Sequence, residues 1–286
     1  MRHLYDLPAP AKINLFLHIT GRRADGYHLM QSAFVLLDLH DTLHLSLRSD
    51  GQVSRDDRPS NFTEEALPTD DLTVRAAKLL QQATGCQQGV HITLEKRIPS
   101  QAGMGGGSSD AATVLLALNR LWNTRLERKD LMQLGLRLGA DVPFFLLGDN
   151  AWAEGIGDQL QPLDWPRQRY AVVKPPQGLP TAAIFSDPNL KRDTKAATMQ
   201  GFADHCKTNS SLFGCNDLQP VAQQHCPSIR SCIDWLAQQG LSGRMTGSGS
   251  AVFAPVGHLL ALPEAPQGWF QATTSSLTEH PLKRWI

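Results

Sequence analysis

A run of glycine and serine at 103–109, Gly-Met-Gly-Gly-Gly-Ser-Ser, carries the strongest chemical signal in the sequence. Glycine leaves its backbone N–H unshielded and accepts positive φ, and the apolar period that begins at Val114 predicts a helix directly after the run. Backbone N–H groups at the positive end of a helix dipole bind phosphate. The run has neither the Lys-Ser/Thr of a Walker A loop nor the dinucleotide fingerprint. It therefore predicts a phosphate site of another type, with a flexible turn as the alternative.

Two charged residues could act on a phosphate that is held there. Lys12 lies in an alternating segment, 9–19, which predicts a strand with Asn14 on the same face. Asp141 follows a helix that is predicted to end at Gly139. Phosphoryl transfer needs a cation near the phosphate and a carboxylate that orients the accepting hydroxyl. The residues alone also allow a solvated edge-strand lysine and an ordinary helix N-cap, and both alternatives stay open.

Aromatic and hydroxyl residues elsewhere are weaker candidates. Tyr27 and His28 end the loop after the first strand, where a buried aromatic and a surface histidine are the usual outcomes. Phe185 lies in an irregular, proline-rich stretch and could simply fill a small satellite core. The segment 246–250, Thr-Gly-Ser-Gly-Ser, fits a second phosphate cradle and a tight hairpin turn about equally.

The elements that would position these residues alternate between strands and helices. Strands are predicted at 9–19, 33–39, 43–47, 90–94, 170–173 and 251–254. Helices are predicted at 72–80, after the glycine run, at 130–138 and at 228–239, and 49–71 is predicted to be a polar surface connection. This order indicates an α+β protein. A boundary near Trp165 divides the chain into domains at 1–165 and 166–286.

Composition limits the partners of the protein. In its 286 residues, 27 Lys plus Arg balance 27 Asp plus Glu, so no overall field attracts nucleic acid or an anionic membrane. No apolar run is long enough to span a bilayer, and the N-terminus has no apolar core of a secretory signal. The cysteines match no zinc pattern, so we expect free thiols and no dedicated metal site. We expect a monomer or weak homodimer in a reducing cytoplasm, without nucleic-acid or membrane partners.

The glycine run with its preceding proline, Pro99-x-x-x-Gly103 to Ser109, resembles the ATP loop of the GHMP kinases. Three further segments at 10–15, 23–28 and 138–143 occur in the order and spacing of one branch of this family. That branch phosphorylates a cytidine-diphosphate-linked methylerythritol in the non-mevalonate isoprenoid route. The resemblance extends from Pro8 to about Phe253.

The resemblance implies a two-domain fold with the active site between the domains. The N-terminal domain would bind ATP and contain a left-handed crossover, and the C-terminal domain would be ferredoxin-like. The residues implied for ATP binding are Lys96, Pro99, Gly103, Met104, Gly105, Gly106, Gly107, Ser108 and Ser109. Mg²⁺ is expected with ATP, held largely by phosphate oxygens and by Ser108 or Ser109.

The resemblance also implies the catalytic and substrate-binding roles. Asp141 would be the base toward the 2-hydroxyl of the methylerythritol, and Lys12 would keep it ionised and neutralise the transferring phosphate. Tyr27 and His28 would recognise the cytosine, with Phe185 stacking opposite Tyr27. The full set implied for substrate binding is Asn14, Tyr27, His28, Phe185, Thr246, Gly247 and Ser248. The non-mevalonate route implies a bacterial or plastid origin, and the lack of a transit peptide favours a bacterial cytoplasm.

Two positions depart from the usual pattern of that branch. Met104 replaces a leucine, a change that conserves volume. Asp71 stands where an asparagine that can face the adenine is common, and a carboxylate cannot donate a hydrogen bond. The alternatives are a GHMP kinase with another acceptor, such as mevalonate or an amino alcohol, and a non-catalytic nucleotide-binding protein on the same fold.

Overall fold

The computed structural model describes residues 2–58, 68–208, 211–257 and 261–286. Its first half contains a six-stranded sheet with helices packed on it. The strands are β1 (His3–Arg22), β2 (His28–Arg48), β3 (Val53–Arg58), β4 (Gly89–Glu95), β5 (Ala151–Glu154) and β6 (Gln159–Pro162). They lie in the order β3-β4-β2-β5-β6, and β1 also pairs with β2. β1 and β2 are long antiparallel neighbours, so the residues of β1 are fixed along most of their length.

One parallel crossover connects β3 to β4. Helix α1 (Leu72–Thr84) lies between these two strands in the chain, so β3–α1–β4 is the unit to which the predicted crossover belongs. The prediction of a surface connection over 49–71 was wrong where β3 forms. The described part of that strand is only half-buried or exposed, and a polar edge strand gives no apolar alternation that could reveal it.

Helix α2 (Gly106–Leu121) is the central helix of the first half, and nearly all of its residues from Ser109 onward are buried. It packs against α1 and the sheet, and α3 (Arg128–Leu136) and α4 (Val142–Leu147) complete this layer. The helix predicted after the glycine run is confirmed. Helix α4 was not predicted, because six residues are too few to display a helical period.

The second half contains a four-stranded antiparallel sheet in the order β10-β7-β9-β8. Its strands are β7 (Arg169–Lys174), β8 (Arg244–Met245), β9 (Val252–Pro255) and β10 (Phe270–Ser275). Its helices are α5 (Thr181–Ser186), α6 (Met199–Thr208), α7 (Gln219–His225) and α8 (Ser228–Gln238), and a 3₁₀ turn covers Lys283–Trp285. Sheets and helices in both halves confirm the α+β prediction.

The two halves share buried apolar contacts. One core cluster combines β1 residues such as Ile13 and Phe16 with Tyr170 and Phe253 of the second sheet. The end of the chain returns to the first half, where the Leu277 N–H donates to the Leu36 carbonyl at 2.8 Å. The division at Trp165 stays a prediction, and the last residues of the chain pack on the first half. None of the helices in the described residues is long and apolar enough to cross a membrane.

Candidate active site

A cavity of about 690 Å³ lies between the two halves and gathers most of the predicted site residues. The candidates that line it are Lys12, Asn14, Lys96, Pro99, Gly103, Met104, Gly105, Gly106, Gly107, Ser108, Asp141, Phe185, Gly247 and Ser248. The remaining candidates, Ser109, Tyr27, His28 and Thr246, do not line it. Ser109 and Thr246 are fully buried, and each is next in the chain to a cavity-lining residue, Ser108 and Gly247 respectively.

The glycine loop is built for backbone contact with an anion. Gly103 and Gly105 both have a φ of +71°, a conformation that side chains with a Cβ rarely adopt. Gly105 is the N-cap of α2, and no side chain caps the helix there. The N–H groups of the first turn, at Gly106, Gly107 and Ser108, therefore need a partner from outside the helix. Together with the helix dipole they form a site suited to phosphate.

The loop at 246–250 braces the glycine loop. A Cβ on Gly103 would lie 2.2 Å from the Thr246 carbonyl oxygen, and a Cβ on Gly247 would lie 2.6 Å from the Gly103 carbonyl oxygen. The Ser250 N–H also donates to the Gln101 carbonyl at 3.0 Å. Both glycines are required because the two backbones touch. The segment is therefore more than a hairpin turn, since it fixes the position of the predicted phosphate loop.

We expect Gly247→Ala to displace the glycine loop. The new methyl group would overlap the Gly103 backbone, which should cost about 1–3 kcal/mol and raise the KM for ATP severalfold. Gly240→Ala is the matched control, because Gly240 also has positive φ, +74°, but nothing within 4 Å of an added Cβ. Urea unfolding and ATP kinetics on both variants measure the difference. Equal losses in the two variants would contradict the bracing role.

Lys12 and Asp141 meet at the cavity. Lys12 is 4% exposed, and its Nζ lies 3.4 Å from Asp141 Oδ2 and donates to Asn14 Oδ1 at 2.7 Å. Its backbone N–H donates to the Met104 carbonyl at 3.0 Å, which ties β1 to the glycine loop. The edge-strand alternative for Lys12 is therefore wrong. The shared face of Lys12 and Asn14 is confirmed.

Asp141 occupies the N-cap position of α4 without acting as a cap. Its side chain makes no capping hydrogen bond and is 34% exposed, facing Lys12. The ordinary N-cap alternative is therefore wrong for the side chain. A carboxylate beside an ammonium group and next to a phosphate-type loop has the arrangement that phosphoryl transfer requires.

Lys96 takes part in a buried charge cluster that the sequence did not reveal. Its Nζ contacts Asp41 Oδ2 and lies 2.8 Å from Asp110 Oδ2. Burial raises the pKa of Asp110 well above its ordinary value, although Lys96 opposes the shift. Burial alone would lower the pKa of Lys96. Asp110 and Asp41 stabilise its charged form more strongly, so the pKa is raised. Lys96 thus holds two acids beneath the first turn of α2, and its predicted contact with ATP stays a prediction.

We expect Lys96→Met to destabilise the fold by about 3–5 kcal/mol, because two buried carboxylates lose their cation. Lys78→Met is the matched control, since the Lys78–Asp70 pair is exposed at both ends and should contribute at most about 1 kcal/mol. Denaturant unfolding of both variants measures the free energies. A loss at Lys96 no larger than at Lys78 would show that the cluster is not structural.

The predicted cytosine residues lie at a different end of the site. The His28 and Phe185 rings are neighbours, with centroids 5.2 Å apart. His28 Nε2 accepts a hydrogen bond from Arg192 Nε at 3.0 Å. Burial first, and then Arg192 and Arg22, lower the pKa of His28.

Tyr27 is 61% exposed, so the buried-aromatic alternative is wrong. Phe185 belongs to helix α5, within the stretch that was predicted to be irregular. Its ring neighbour in the structure is His28, and the stacking of Phe185 opposite Tyr27 stays a prediction. Sequence reasoning missed Arg192, because its partner His28 is distant in the chain.

The two departures from the family pattern have local explanations. Asp71 is the N-cap of α1, where it accepts from the Val74 N–H at 3.2 Å and pairs with Arg55 at 2.6 Å. Its carboxylate thus stabilises the helix start at the edge of the cavity. Met104 is buried, and its carbonyl accepts the Lys12 N–H, a contact that does not depend on its side chain.

Comparison with known proteins identifies the family. The GHMP kinase N-terminal domain matches residues 71–149, and the GHMP kinase C-terminal domain matches residues 196–267. The 4-diphosphocytidyl-2-C-methyl-D-erythritol kinase of Delftia acidovorans is 58% identical over 291 residues, which cover all of this chain and 98% of the relative. The chain belongs to this family of GHMP kinases.

Two further comparisons agree with this result. The kinase of the same description from a Polaromonas species is 59% identical over 293 residues, covering the whole chain and 95% of the relative. A crystal structure of 4-(cytidine 5'-diphospho)-2C-methyl-D-erythritol kinase is 32% identical with a TM-score of 0.72, covering 95% of this chain and 98% of that one. The two-domain GHMP kinase fold is confirmed, and the protein is an ATP-dependent small-molecule kinase.

Proposed function

We propose that this kinase transfers the γ-phosphoryl group of ATP to the 2-hydroxyl of 4-diphosphocytidyl-2-C-methyl-D-erythritol, with Asp141 as base. The observation that carries the proposal is the ion pair between Lys12 Nζ and Asp141 Oδ2, 3.4 Å apart, on the cavity that the glycine loop lines. Relatives named for this substrate match the whole chain at close to 60% identity. We also expect a monomer or weak homodimer in the cytoplasm that acts without nucleic acid or membrane.

The glycine loop and the first turn of α2 would hold the phosphates of ATP. Two observations support this assignment: the N–H groups of that turn are uncapped, and the contact between Gly103 and Gly247 braces the loop. Asp71 and Leu72 line the same cavity and are available to the remainder of the nucleotide.

The chemical step would take place between the loop and Asp141. The hydroxyl oxygen of the substrate bonds to the γ-phosphorus while the bond to the leaving oxygen of ADP breaks, and the hydroxyl proton passes to the Asp141 carboxylate. Lys12 neutralises charge on the transferring group and holds Asp141 in place. Asn14 Oδ1 accepts a hydrogen bond from the Lys12 ammonium, and this bond fixes the direction in which the cation points. A loose transition state of this kind depends mainly on positioning and charge stabilisation.

Magnesium would enter together with ATP. Among the described residues no group of three or more His, Cys, Asp or Glu is arranged to hold a metal, so the protein offers few ligands of its own. Ser108 lines the cavity and offers a hydroxyl oxygen, the kind of hard ligand that Mg²⁺ prefers, whereas Ser109 is buried. When bound, the ion neutralises charge on the phosphates.

The acceptor would extend from Asp141 toward His28 and Phe185. Thr246 Oγ1 accepts the Asn14 N–H at 2.9 Å, and the Ser248 hydroxyl is hydrogen-bonded to the Thr181 hydroxyl at 2.8 Å. These contacts connect the loop at 246–250 to both walls of the cavity. Gly247 and Ser248 are therefore available to the diphosphate of the acceptor, and His28 and Phe185 to its base.

The test is ADP release from purified protein with Mg-ATP and three acceptors: the cytidine compound, mevalonate and homoserine. We expect turnover with the cytidine compound alone. Turnover with another acceptor would keep the fold and the ATP loop but contradict the proposed roles of Tyr27, His28 and Phe185. A protein that binds ATP but turns over none of the three would contradict the proposed acceptor.

A further inference from the structure

Arg192 lies between α5 and α6, and its guanidinium group is held on every side. Nη1 donates to the Leu190 carbonyl at 2.8 Å, and Nη2 donates to the carbonyls of Asp187 at 2.7 Å and Phe185 at 3.3 Å. Nε is directed at His28 Nε2, 3.0 Å away. The backbone around α5 therefore fixes the guanidinium so that one N–H meets the imidazole.

This contact determines where the proton of His28 lies. A guanidinium group only donates hydrogen bonds, so Nε2 of His28 must accept, and the ring proton must be on Nδ1. In a doubly protonated ring, the Nε2–H group would face the N–H group of Arg192, and two donors cannot form a hydrogen bond with each other. The lowered pKa of His28, caused first by burial and then by Arg192 and Arg22, agrees with a neutral ring. The carboxylate of Asp187, near Arg192 in the chain, forms a hydrogen bond with His225 at 2.7 Å.

The Nδ1–H group is available to a ligand. In the part of the chain that the structure describes, the one hydrogen bond of the His28 side chain is the one from Arg192. The ring lies beside Phe185, which lines the cavity. The far end of the site therefore combines the apolar ring of Phe185 with the Nδ1–H donor of His28. The contact with Arg192 makes Nδ1 the nitrogen that carries the proton.

We propose that Arg192 is a positioning residue that fixes His28 as the Nδ1–H tautomer and thereby makes this end of the cavity prefer cytosine to uracil. The inference rests on the proposed function, in which His28 faces the base. Cytosine presents two adjacent acceptors, N3 and O2, whereas uracil carries a hydrogen on N3. Both bases share the O2 acceptor, so the preference requires the Nδ1–H group to face N3. A donor in that position matches N3 of cytosine and opposes the N3–H of uracil, and a site left with an unpaired polar group discriminates strongly.

The first arm of the test needs no substrate. Nitrogen-15 NMR of histidine-labelled protein should show His28 as the Nδ1–H tautomer, assigned by the loss of its signals in His28→Asn. In Arg192→Met the Nε2–H form should appear and the ring should titrate at higher pH. Lys191→Met, which removes the neighbouring charge, is the control and should keep the wild-type pattern. An Nε2–H tautomer in the wild type would overturn the inference.

The second arm measures selectivity. In Arg192→Met, the KM for the cytidine compound should rise about 10–100-fold with kcat and the KM for ATP nearly unchanged. Preference for cytidine diphosphate over uridine diphosphate, measured by calorimetry, should fall about tenfold or more. In a His28→Asn background, Arg192→Met should add less than about threefold, because Arg192 acts through His28.

The outcomes separate the two proposals. Equal losses from Arg192→Met in both backgrounds would overturn the inference, since Arg192 would then act on the loop and not through His28. An unchanged preference between the two diphosphates would overturn it as well. If the wild type failed to phosphorylate the cytidine compound, the proposed function would fall. The tautomer and the binding preference would still decide the role of Arg192.

Discussion

Asp141→Asn should lower kcat by about 10²–10⁴-fold while the KM for ATP stays within about threefold. The amide keeps the size of the side chain and can still contact the acceptor hydroxyl, but it cannot take its proton. Asp141 is partly exposed and makes no capping hydrogen bond, so the substitution removes little that holds α4 together. Steady-state kinetics with both substrates measure the effect.

A matched control separates chemistry from general damage. Asp164→Asn makes the same chemical change on an exposed residue outside the cavity lining, and its kcat should remain within about twofold of the wild type. If Asp141→Asn were also within a few-fold of the wild type, Asp141 would not be the base. A parallel loss in ATP binding would point to a positioning defect.

Lys12→Met should lower kcat by about 10²–10³-fold, because it removes the cation that faces the transferring group. Methionine has a similar length and suits a buried position. The ammonium lies 4.8 Å from the centre of the Phe34 ring, so an apolar side chain is tolerated there. Asp141 keeps its contact with solvent and can be hydrated. The loss should therefore appear in the rate more than in stability.

Two comparisons test this result. Lys174→Met removes another buried lysine, whose Nζ donates to the Pro175 carbonyl at 3.0 Å away from the cavity, and should leave kcat within about threefold. Because Lys12 and Asp141 form one unit, the double variant Lys12→Met/Asp141→Asn should be little slower than the slower single variant. Fully additive losses would mean that the two residues act independently.

The local chemistry of the site could be predicted from the sequence. The glycine loop, the helix after it and the shared face of Lys12 and Asn14 all follow from residue spacing, and the structure confirms them. These features depend on residues that are near one another in the chain. Periods of 2 and 3.6 residues fix which side chains share a face, so a pattern over a dozen residues is sufficient.

Contacts between distant segments could not be predicted in this way. Asp41 meets Lys96 across 55 residues, and His28 meets Arg192 across 164. No spacing rule relates such pairs, because the tertiary fold alone brings them together. The environment of Asp141 shows the same limit, since a sequence position before a helix suggests a cap and only the approach of β1 supplies Lys12.

Secondary structure failed where the pattern was too short or too polar. The half-exposed edge strand β3 and the six-residue helices α4 and α5 carry too few periodic apolar residues to be recognised. Two predicted strands at 33–39 and 43–47 are one continuous strand, β2. The polar residue Asp41 lies between the two predicted strands, where it is buried and pairs with Lys96.

The central claim is that the phosphoryl group is placed on the 2-hydroxyl of the cytidine compound. Phosphorus NMR of the product tests it directly, because the C2 carbon carries a methyl group and no hydrogen. The new phosphate signal should be a singlet without three-bond coupling to a proton, and it should be absent with Asp141→Asn on the same time scale. A doublet would place the phosphate on the C3 hydroxyl and a triplet on the C1 hydroxyl. Either pattern, or no new signal from active protein, would contradict the account.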